Sequence, residues 1–223
     1  MIDCAMILAA GRGERMRPLT DILPKPLLPL KGKPLMQYHL EKLAAAGIRK
    51  VIVNHAWLGE KIEAAFGNGE AFNLQIIYSA ESEALETAGG IVKALPHFAG
   101  NPFMVVNGDV YCDIDFTQLC REPLRGLARL VLVDNPEHHP EGDFAVSDGR
   151  VAQKCAEQSY TFSGIALYNP EFFAGLKVER MPLAPLIRRH MQNGRVEAEL
   201  FHGRWCDVGT PERLANLEQE LSL

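Results

Sequence analysis

Ala5-Met6-Ile7-Leu8-Ala9-Ala10-Gly11-Arg12-Gly13-Glu14-Arg15-Met16-Arg17-Pro18-Leu19-Thr20, with Pro24-Lys25-Pro26-Leu27-Leu28-Pro29 close behind, is the stretch on which the fold of this chain turns. Its first six residues are apolar without a break, which reads as a short strand buried on both faces. The run then gives way to a glycine-rich, basic loop. In α/β proteins a strand that stops in such a loop presents backbone N–H groups to phosphate. Between Ala9 and Lys33 there are six Lys/Arg (Arg12, Arg15, Arg17, Lys25, Lys31, Lys33) against Glu14 and Asp21, in a chain of formal net charge −5. That local excess of positive charge predicts a site for a polyanion.

Glycine loops of several kinds bind phosphate, and two fail here. A dinucleotide fingerprint needs Gly-x-Gly-x-x-Gly, but Met16 stands at the third glycine position, and the region around Lys31 and Lys33 is basic where an acidic ribose contact belongs. A P-loop needs a terminal Gly-Lys-Ser/Thr, which is absent. An ordinary strand-to-helix turn with solvated arginines is the plainer reading. What remains is the string from Leu8 to Met16 with Lys25 held between Pro24 and Pro26. This combination resembles the signature of the sugar-1-phosphate nucleotidyltransferases.

Outward from that loop the chain alternates. Pro34 to Ala46 has helical spacing and stops at Gly47; Val51–Asn54 reads as a buried strand; Leu58–Phe66 is a short amphipathic helix; Leu74–Tyr78 is a third strand. That rhythm predicts βαβ units in a mostly parallel, Rossmann-like α/β sheet flanked by helices. Ligands gather beyond the carboxyl ends of such strands, which puts the Gly11 loop, the loop after Tyr78 and the loop after Val106 on one rim. Glu81 to Gly90 leads small residues into a helix over Ile91–Leu95, a setting suited to a flat ring or a phosphate. A glycine-rich turn packing helix on sheet remains open there, as does a capping role for Glu86.

Phe103–Val106 is a fourth buried strand and ends in Asn107-Gly108-Asp109. A carboxylate at such a strand tip is well placed for a magnesium–nucleotide complex, since Mg²⁺ takes one or two carboxylates plus phosphate oxygens. The best second carboxylate is Asp207, in Trp205-Cys206-Asp207-Val208-Gly209-Thr210-Pro211, between a strand over Val196–Phe201 and a helix over Glu212–Leu221. A cluster of Asp109 with Asp113 and Asp115 is the alternative, weakened because Asp115 reads as the N-cap of a helix over Phe116–Cys120. From Gly126 the style changes: strands at Leu127–Val133, Ala145-Val146, Val151-Ala152 and Tyr160–Tyr168, then a helix over Pro182–Gln192, read as a smaller, partly antiparallel lobe laid over the rim. His138 and His139 read as polar loop residues, with no nucleophile–base pairing apparent.

At 223 residues the chain can bury a full core, and it has no apolar run long enough to span a bilayer. Five cysteines, an odd number without a Cys-x-x-Cys pair, point to reduced thiols in a cytoplasmic protein rather than to disulfides or zinc. The first strand begins too early to leave room for a signal peptide. Mild acidity, with positive charge confined to one loop, argues against a nucleic-acid partner. No segment reads as a linker. A monomer with no membrane partner is expected.

The resemblance covers nearly the whole chain. It implies one domain over 1–223 with the nucleotide-diphospho-sugar transferase fold: a nucleotide-binding core over about 1–125 and 195–223, and a sugar-binding lobe over about 126–194. It assigns nucleotide contacts to Gly11, Gly13, Glu14, Arg15, Lys25, Ser82, Glu86 and Gly89, sugar contacts to Asn107, Gly142 and Thr161, and Mg²⁺ to Asp109 and Asp207. Many relatives carry Glu-x-Lys-Pro before the last strand of the lobe, where this chain has Cys155-Ala156-Glu157-Gln158-Ser159. Strings such as Asn54–Gly59, Leu85-Glu86-Thr87, Asp134-Asn135-Pro136 and Thr161–Ile165 narrow the implied substrates to UTP and N-acetylmuramate 1-phosphate. Guanylyl or uridylyl transfer to mannose-, heptose- or glucose-1-phosphate is the alternative. A catalytically silent nucleotide-sugar sensor is the rival from another class, and Arg15, Lys25, Asp109 and Asp207 together count against it. In the implied reaction a sugar-phosphate oxygen attacks the α-phosphorus of the triphosphate and expels pyrophosphate. Arg15 then offsets charge on the leaving side, and Lys25 bridges the attacking phosphate and the α-phosphate.

Overall fold

The computed structural model describes residues 2–154 and 158–222. The opening apolar run is β1 (Cys4–Ala9), and the loop after it carries one helical turn, α1 (Leu19–Ile22). A two-stranded hairpin, β2 (Pro29–Leu30) and β3 (Lys33–Pro34), leads into α2 (Leu35–Ala45). Two strand–helix units follow, β4 (Lys50–His55) with α3 (Gly59–Phe66) and β5 (Gln75–Ala80) with α4 (Glu86–Ala94). Next come β6 (Phe103–Asn107), β7 (Val110–Cys112) and α5 (Phe116–Arg121). The remainder holds β8 (Ala128–Val133), β9 (Ala145–Ser147), β10 (Arg150–Ala152) and β11 (Thr161–Tyr168). The last elements are α6 (Ala184–Met191), β12 (Val196–Phe201), β13 (Trp205–Asp207) and α7 (Pro211–Glu220).

Nine strands form one sheet in the order β5-β4-β1-β6-β11-β8-β12-β10-β9. β5, β4, β1 and β6 are parallel neighbours, as the alternating strand–helix rhythm predicts. β11 runs antiparallel to both β6 and β8, and β12 lies parallel to β8. The β9–β10 hairpin closes the far edge, with β10 antiparallel to β12. Only β10 and β11 therefore oppose the common direction, and the sheet is mixed but mostly parallel. The strands expected to form a lobe over the rim extend this central sheet.

β1 explains why its sequence does not alternate. Ala5, Ile7 and Ala9 pack on one face with Met36 and Leu40 of α2, Ile62 of α3 and Phe116 of α5. Cys4 and Met6 pack on the other with Ile91 of α4, Phe172, Phe173 and Ile187 of α6. A strand covered on both sides has no solvent face to keep polar. A third cluster joins Met16 and Leu28 of the loop region to Leu30, Leu35, Val208, Leu214 and Leu217, fastening the loop after β1 to α7.

Two local differences from the sequence reading, and one agreement, matter for the site. α4 begins at Glu86, five residues before Ile91, because its free N–H groups find an outside partner. Ala88 and Gly89 donate to the Met181 carbonyl at 3.0 and 3.3 Å, and Met181 donates back to Leu85 O at 2.9 Å. Trp205–Asp207, placed by the sequence reading only between a strand and a helix, is itself a strand, antiparallel to β7. Asp115 does cap α5, accepting from the N–H groups of Thr117 and Gln118 at 2.8 and 3.3 Å. Cys4, Cys112, Cys120 and Cys206 are free thiols; Cys155, with Ala156 and Glu157 of the stretch that replaces Glu-x-Lys-Pro, lies outside the described residues.

Candidate active site

Most of the positive charge in the first loop holds the loop itself. Arg12 donates to Asp21 at 2.7 Å and to Thr20 O at 2.8 Å, with its guanidinium 4.0 Å above the Trp57 ring. Trp57 donates its indole N–H to the same Thr20 carbonyl at 3.0 Å. Arg17 donates to Asp21 at 2.8 Å, and together the two arginines hold the Asp21 carboxyl below its ordinary range. Lys33 pairs with Glu41 at 2.7 Å, while Lys31 bonds Ser222. The polyanion site expected from six cations thus reduces to two, Arg15 and Lys25. Arg15 is exposed, and its guanidinium has no partner among the described residues.

Arg15 and Lys25 line one cleft of about 240 Å³ with Gly11, Gly13, Glu14, Asp109 and Gly209. It adjoins a second of about 320 Å³, walled by residues 8–11, Lys25, Pro26, Asn54, Ala84, Glu86, Thr87, Asn107 and Asp109. Lys25 is buried, and its Nζ lies 2.6 Å from Asp109 Oδ2. Asp109 follows β6, the strand beside β1, so the loop lysine and the strand-tip carboxylate meet where two parallel neighbours end.

The second carboxylate arrives through the β7–β13 ribbon. Asp207 stands opposite Val110, and Val208 N–H donates to Asp109 O at 2.8 Å. Asp207 Oδ1 accepts from Arg213 Nη1 at 2.5 Å and lies 2.9 Å from His138 Nε2, while Arg213 and His138 are 2.7 Å apart. Asp109 Oδ1 and Asp207 Oδ2 have no partner among the described residues. Two hard oxygen donors left open beside a phosphate-sized cleft fit a divalent cation that arrives with a triphosphate. Among the described residues no group of three or more His, Cys, Asp and Glu is gathered to hold a metal, and Asp115 is spent on its cap. The neighbouring Cys206 thiol is pushed up to about 11, chiefly by burial and then by Asp207, and so stays protonated.

A third cleft, about 420 Å³, shares Glu86, Thr87 and Asn107 with the second and continues along Asp143, Phe144, Phe162, Pro182, Leu183, Ala184, Ile187 and Arg188. The Asn107 amide faces both clefts and has no side-chain partner among the described residues. It has room because Gly164, at φ 77°, sits in the irregular stretch of β11: a Cβ there would stand 2.4 Å from Asn107 Nδ2. Glu86 has the left-handed φ of 58° and pairs with Arg180 at 2.8 Å rather than capping α4.

A cleft at the loop after β1, two carboxylates at the β7–β13 ribbon and an adjoining cleft coincide with a match to the Nucleotidyl transferase family over residues 4–222. The chain belongs to that family. This nucleotidyl transferase is 50% identical over 218 residues to the N-acetylmuramate alpha-1-phosphate uridylyltransferase of Neisseria meningitidis serogroup B, covering 94% of each chain. It is 34% identical over 233 residues to the protein of that name from Caulobacter vibrioides, covering 98% of this chain and 96% of the other. In fold it resembles a Bacillus anthracis chain crystallised with sucrose (TM-score 0.88, 20% identity, 99% of this chain and 95% of that one).

The sequence-derived residues of the nucleotidyl transferase divide by location. Gly11, Gly13, Glu14, Arg15, Lys25, Glu86, Asn107 and Asp109 line the clefts, with Asp207 beside them on the ribbon. Ser82 is exposed and lines none of these three clefts. Gly89 lies inside α4, where a Cβ would meet Glu179 O at 2.2 Å, so its smallness serves packing against the 179–181 backbone. Thr161 is buried and donates to Asn135 Oδ1 at 2.9 Å, and Gly142 packs on the same asparagine; their neighbours Phe162 and Asp143 line the cleft. Sequence reasoning missed the Arg213–His138 clamp and Arg188. It also missed the buried pair behind the 320 Å³ cleft, where Asn54 donates to Glu81 at 2.7 Å and Glu81 accepts from Leu85 N–H at 2.8 Å.

Proposed function

We propose that this chain transfers a uridylyl group from UTP to N-acetylmuramate 1-phosphate, giving UDP-N-acetylmuramate and pyrophosphate, with Mg²⁺, in the cytoplasm, for the recycling of cell-wall sugars. The observation that carries the reading is the meeting of Arg15, Lys25 and Asp109 in one cleft, with Lys25 and Asp109 2.6 Å apart. Two near-full-length relatives bearing that activity in their names support the choice of substrates. Residues of about 1–125 and 195–223 form the nucleotide part, and about 126–194 the sugar part, of one domain. All the groups invoked come from a single copy, so a monomer suffices.

The nucleophile is a sugar-phosphate oxygen that is already anionic, so no general base is required. A bond forms from that oxygen to the α-phosphorus, and the bond to the β-phosphate oxygen breaks as pyrophosphate leaves. Catalysis then consists of aligning two mutually repelling anions and offsetting their charge. Gly11 and Gly13 let the backbone close on the phosphates, and Lys25 spans the attacking and α-phosphates. Arg15, uncommitted in the free protein, neutralises the leaving pyrophosphate. Asn107, between the clefts, orients the sugar. Asp109 and Asp207 would hold the Mg²⁺, which would supply Lewis-acid withdrawal of charge from phosphate oxygens. The test is pyrophosphate release from UTP, GTP, CTP, ATP and dTTP against a panel of sugar 1-phosphates. UTP with N-acetylmuramate 1-phosphate should give the highest kcat/KM. A preference for GTP with mannose 1-phosphate would overturn the substrates, and release from no pair would overturn catalysis in favour of a sensor.

A further inference from the structure

We infer that Arg188 is the specificity-determining residue of the sugar cleft and binds a carboxylate carried by the sugar itself. The inference rests on the uridylyl-transfer reading and deepens it. Arg188 is the only cationic side chain lining the 420 Å³ cleft among the described residues. Its guanidinium is exposed and has no hydrogen-bond or ion-pair partner among them. The two carboxylates on the same wall are committed elsewhere. Asp143 Oδ1 lies 3.2 Å from His139 Nε2, and its Oδ2 accepts from Phe162 N–H at 2.8 Å. Glu86 is paired with Arg180. Of the charged groups lining the cleft, Arg188 is thus the one without a partner among the described residues.

The surroundings suit a short acidic ether. N-acetylmuramate differs from N-acetylglucosamine by a lactyl group on O3, a methyl-bearing carbon ending in a carboxylate. Phe162, Leu183 and Ile187 supply an apolar wall for the methyl, and the guanidinium supplies paired donors for the carboxylate. Arg188 is also held in fixed relation to the nucleotide. Ile187 is buried in the core, and the segment leading into α6 is tied to the start of α4 by the Met181 hydrogen bonds. His138 and His139, the nearby alternatives, are already engaged with Asp207 and Asp143.

Both sugar phosphates carry the same phosphate, so a cation that merely attracts anions would serve them equally. The experiment measures kcat/KM for N-acetylmuramate 1-phosphate and N-acetylglucosamine 1-phosphate, with UTP and Mg²⁺ held constant, in the wild-type enzyme and in Arg188→Gln and Arg188→Lys. Calorimetric affinity for the two UDP-sugars gives a readout independent of turnover. In the wild type the carboxylated sugar should be preferred. In Arg188→Gln the ratio of the two kcat/KM values should fall about tenfold or more, the scale of one lost charge-assisted pair. Arg188→Lys should recover part of the ratio, and the affinity for UDP-N-acetylmuramate should fall in parallel. Melting temperatures within about 2 °C of the wild type are expected for an exposed side chain without partners. An unchanged ratio in Arg188→Gln, in an enzyme that does prefer the carboxylated sugar, would overturn the role of Arg188 alone. A wild-type enzyme with no such preference would overturn the substrate reading itself.

Discussion

Asp109→Asn separates the ion pair that the fold gives to one carboxylate from the catalytic role proposed for it. Lys25 Nζ lies 2.6 Å from Asp109 Oδ2; the lysine side chain is 10% exposed and the aspartate 37%. Removing one partner of a fully buried pair costs about 3–5 kcal/mol, because a desolvated charge is left without its counter-ion. Here the aspartate is more than a third open to water, and screening brings the figure down to about 2 kcal/mol. For a chain of this length that is a fall of roughly 4–8 °C in melting temperature. Lys25→Met, which keeps the stem and deletes the charge, should be close to neutral, since the aspartate it abandons can be hydrated. The double substitution should regain most of the loss, giving a coupling of about 2 kcal/mol in a urea-denaturation cycle without nucleotide. Turnover should behave differently. It should fall about 10²-fold or more in Asp109→Asn and stay low in the double variant, as when a main electrostatic stabiliser is lost. A coupling near zero would refute the desolvation argument, and near-wild-type turnover would remove Asp109 from the site.

Two other outcomes follow from side chains behind the site. His39 is fully buried against Phe116; burial, helped by Lys42, pushes its pKa from 6.5 down to about 4, against the pull of the Val110 backbone and Asp109. Between those values the unfolded chain binds a proton that the folded one refuses, so stability should be full above the upper value and drop as pH falls toward the lower, by up to ~3 kcal/mol. His39→Phe should flatten that slope in urea titrations at a series of pH values, and an unchanged slope would clear His39. Arg213→Met should free Asp207 and raise the half-saturating Mg²⁺ roughly tenfold or more with little change in the KM for UTP. An unaltered magnesium dependence would mean that other contacts hold Asp207.

Much of the parallel half was legible because its signals are local. The uninterrupted apolar run of β1 needed only its own composition, and Asp115 announced its cap two residues before its first acceptor bond. The loop cations were harder. Sequence shows six, but whether a guanidinium points into a cleft or at Asp21 depends on Trp57 and on the turn that brings Asp21 back to Arg12, so of the six only Arg15 and Lys25 line the clefts described. The small residues of α4 carried a double meaning, and for Gly89 packing against Glu179 accounts for the choice. His138 was illegible for another reason: its partners, Asp207 and Arg213, lie far along the chain, and nothing in His138-His139 itself records that pairing. Arg188 was invisible in the same way, an exposed helical arginine among others until the cleft is drawn around it.

The β7–β13 ribbon has a consequence for synthesis on the ribosome. β5, β4, β1 and β6 are all made by residue 107, and α2, α3 and α4 are on hand to cover them, so a parallel half-sheet with Lys25 and Asp109 in place can exist early. Its partner carboxylate is translated 98 residues later (207 − 109), on a strand of three residues that has only β7 to pair with. α7, which brings Arg213, comes later still. A nascent chain thus holds Lys25 and Asp109 long before it holds Asp207. On the function proposed above, catalytic competence would be acquired late in synthesis, once Asp207 and Arg213 have been made.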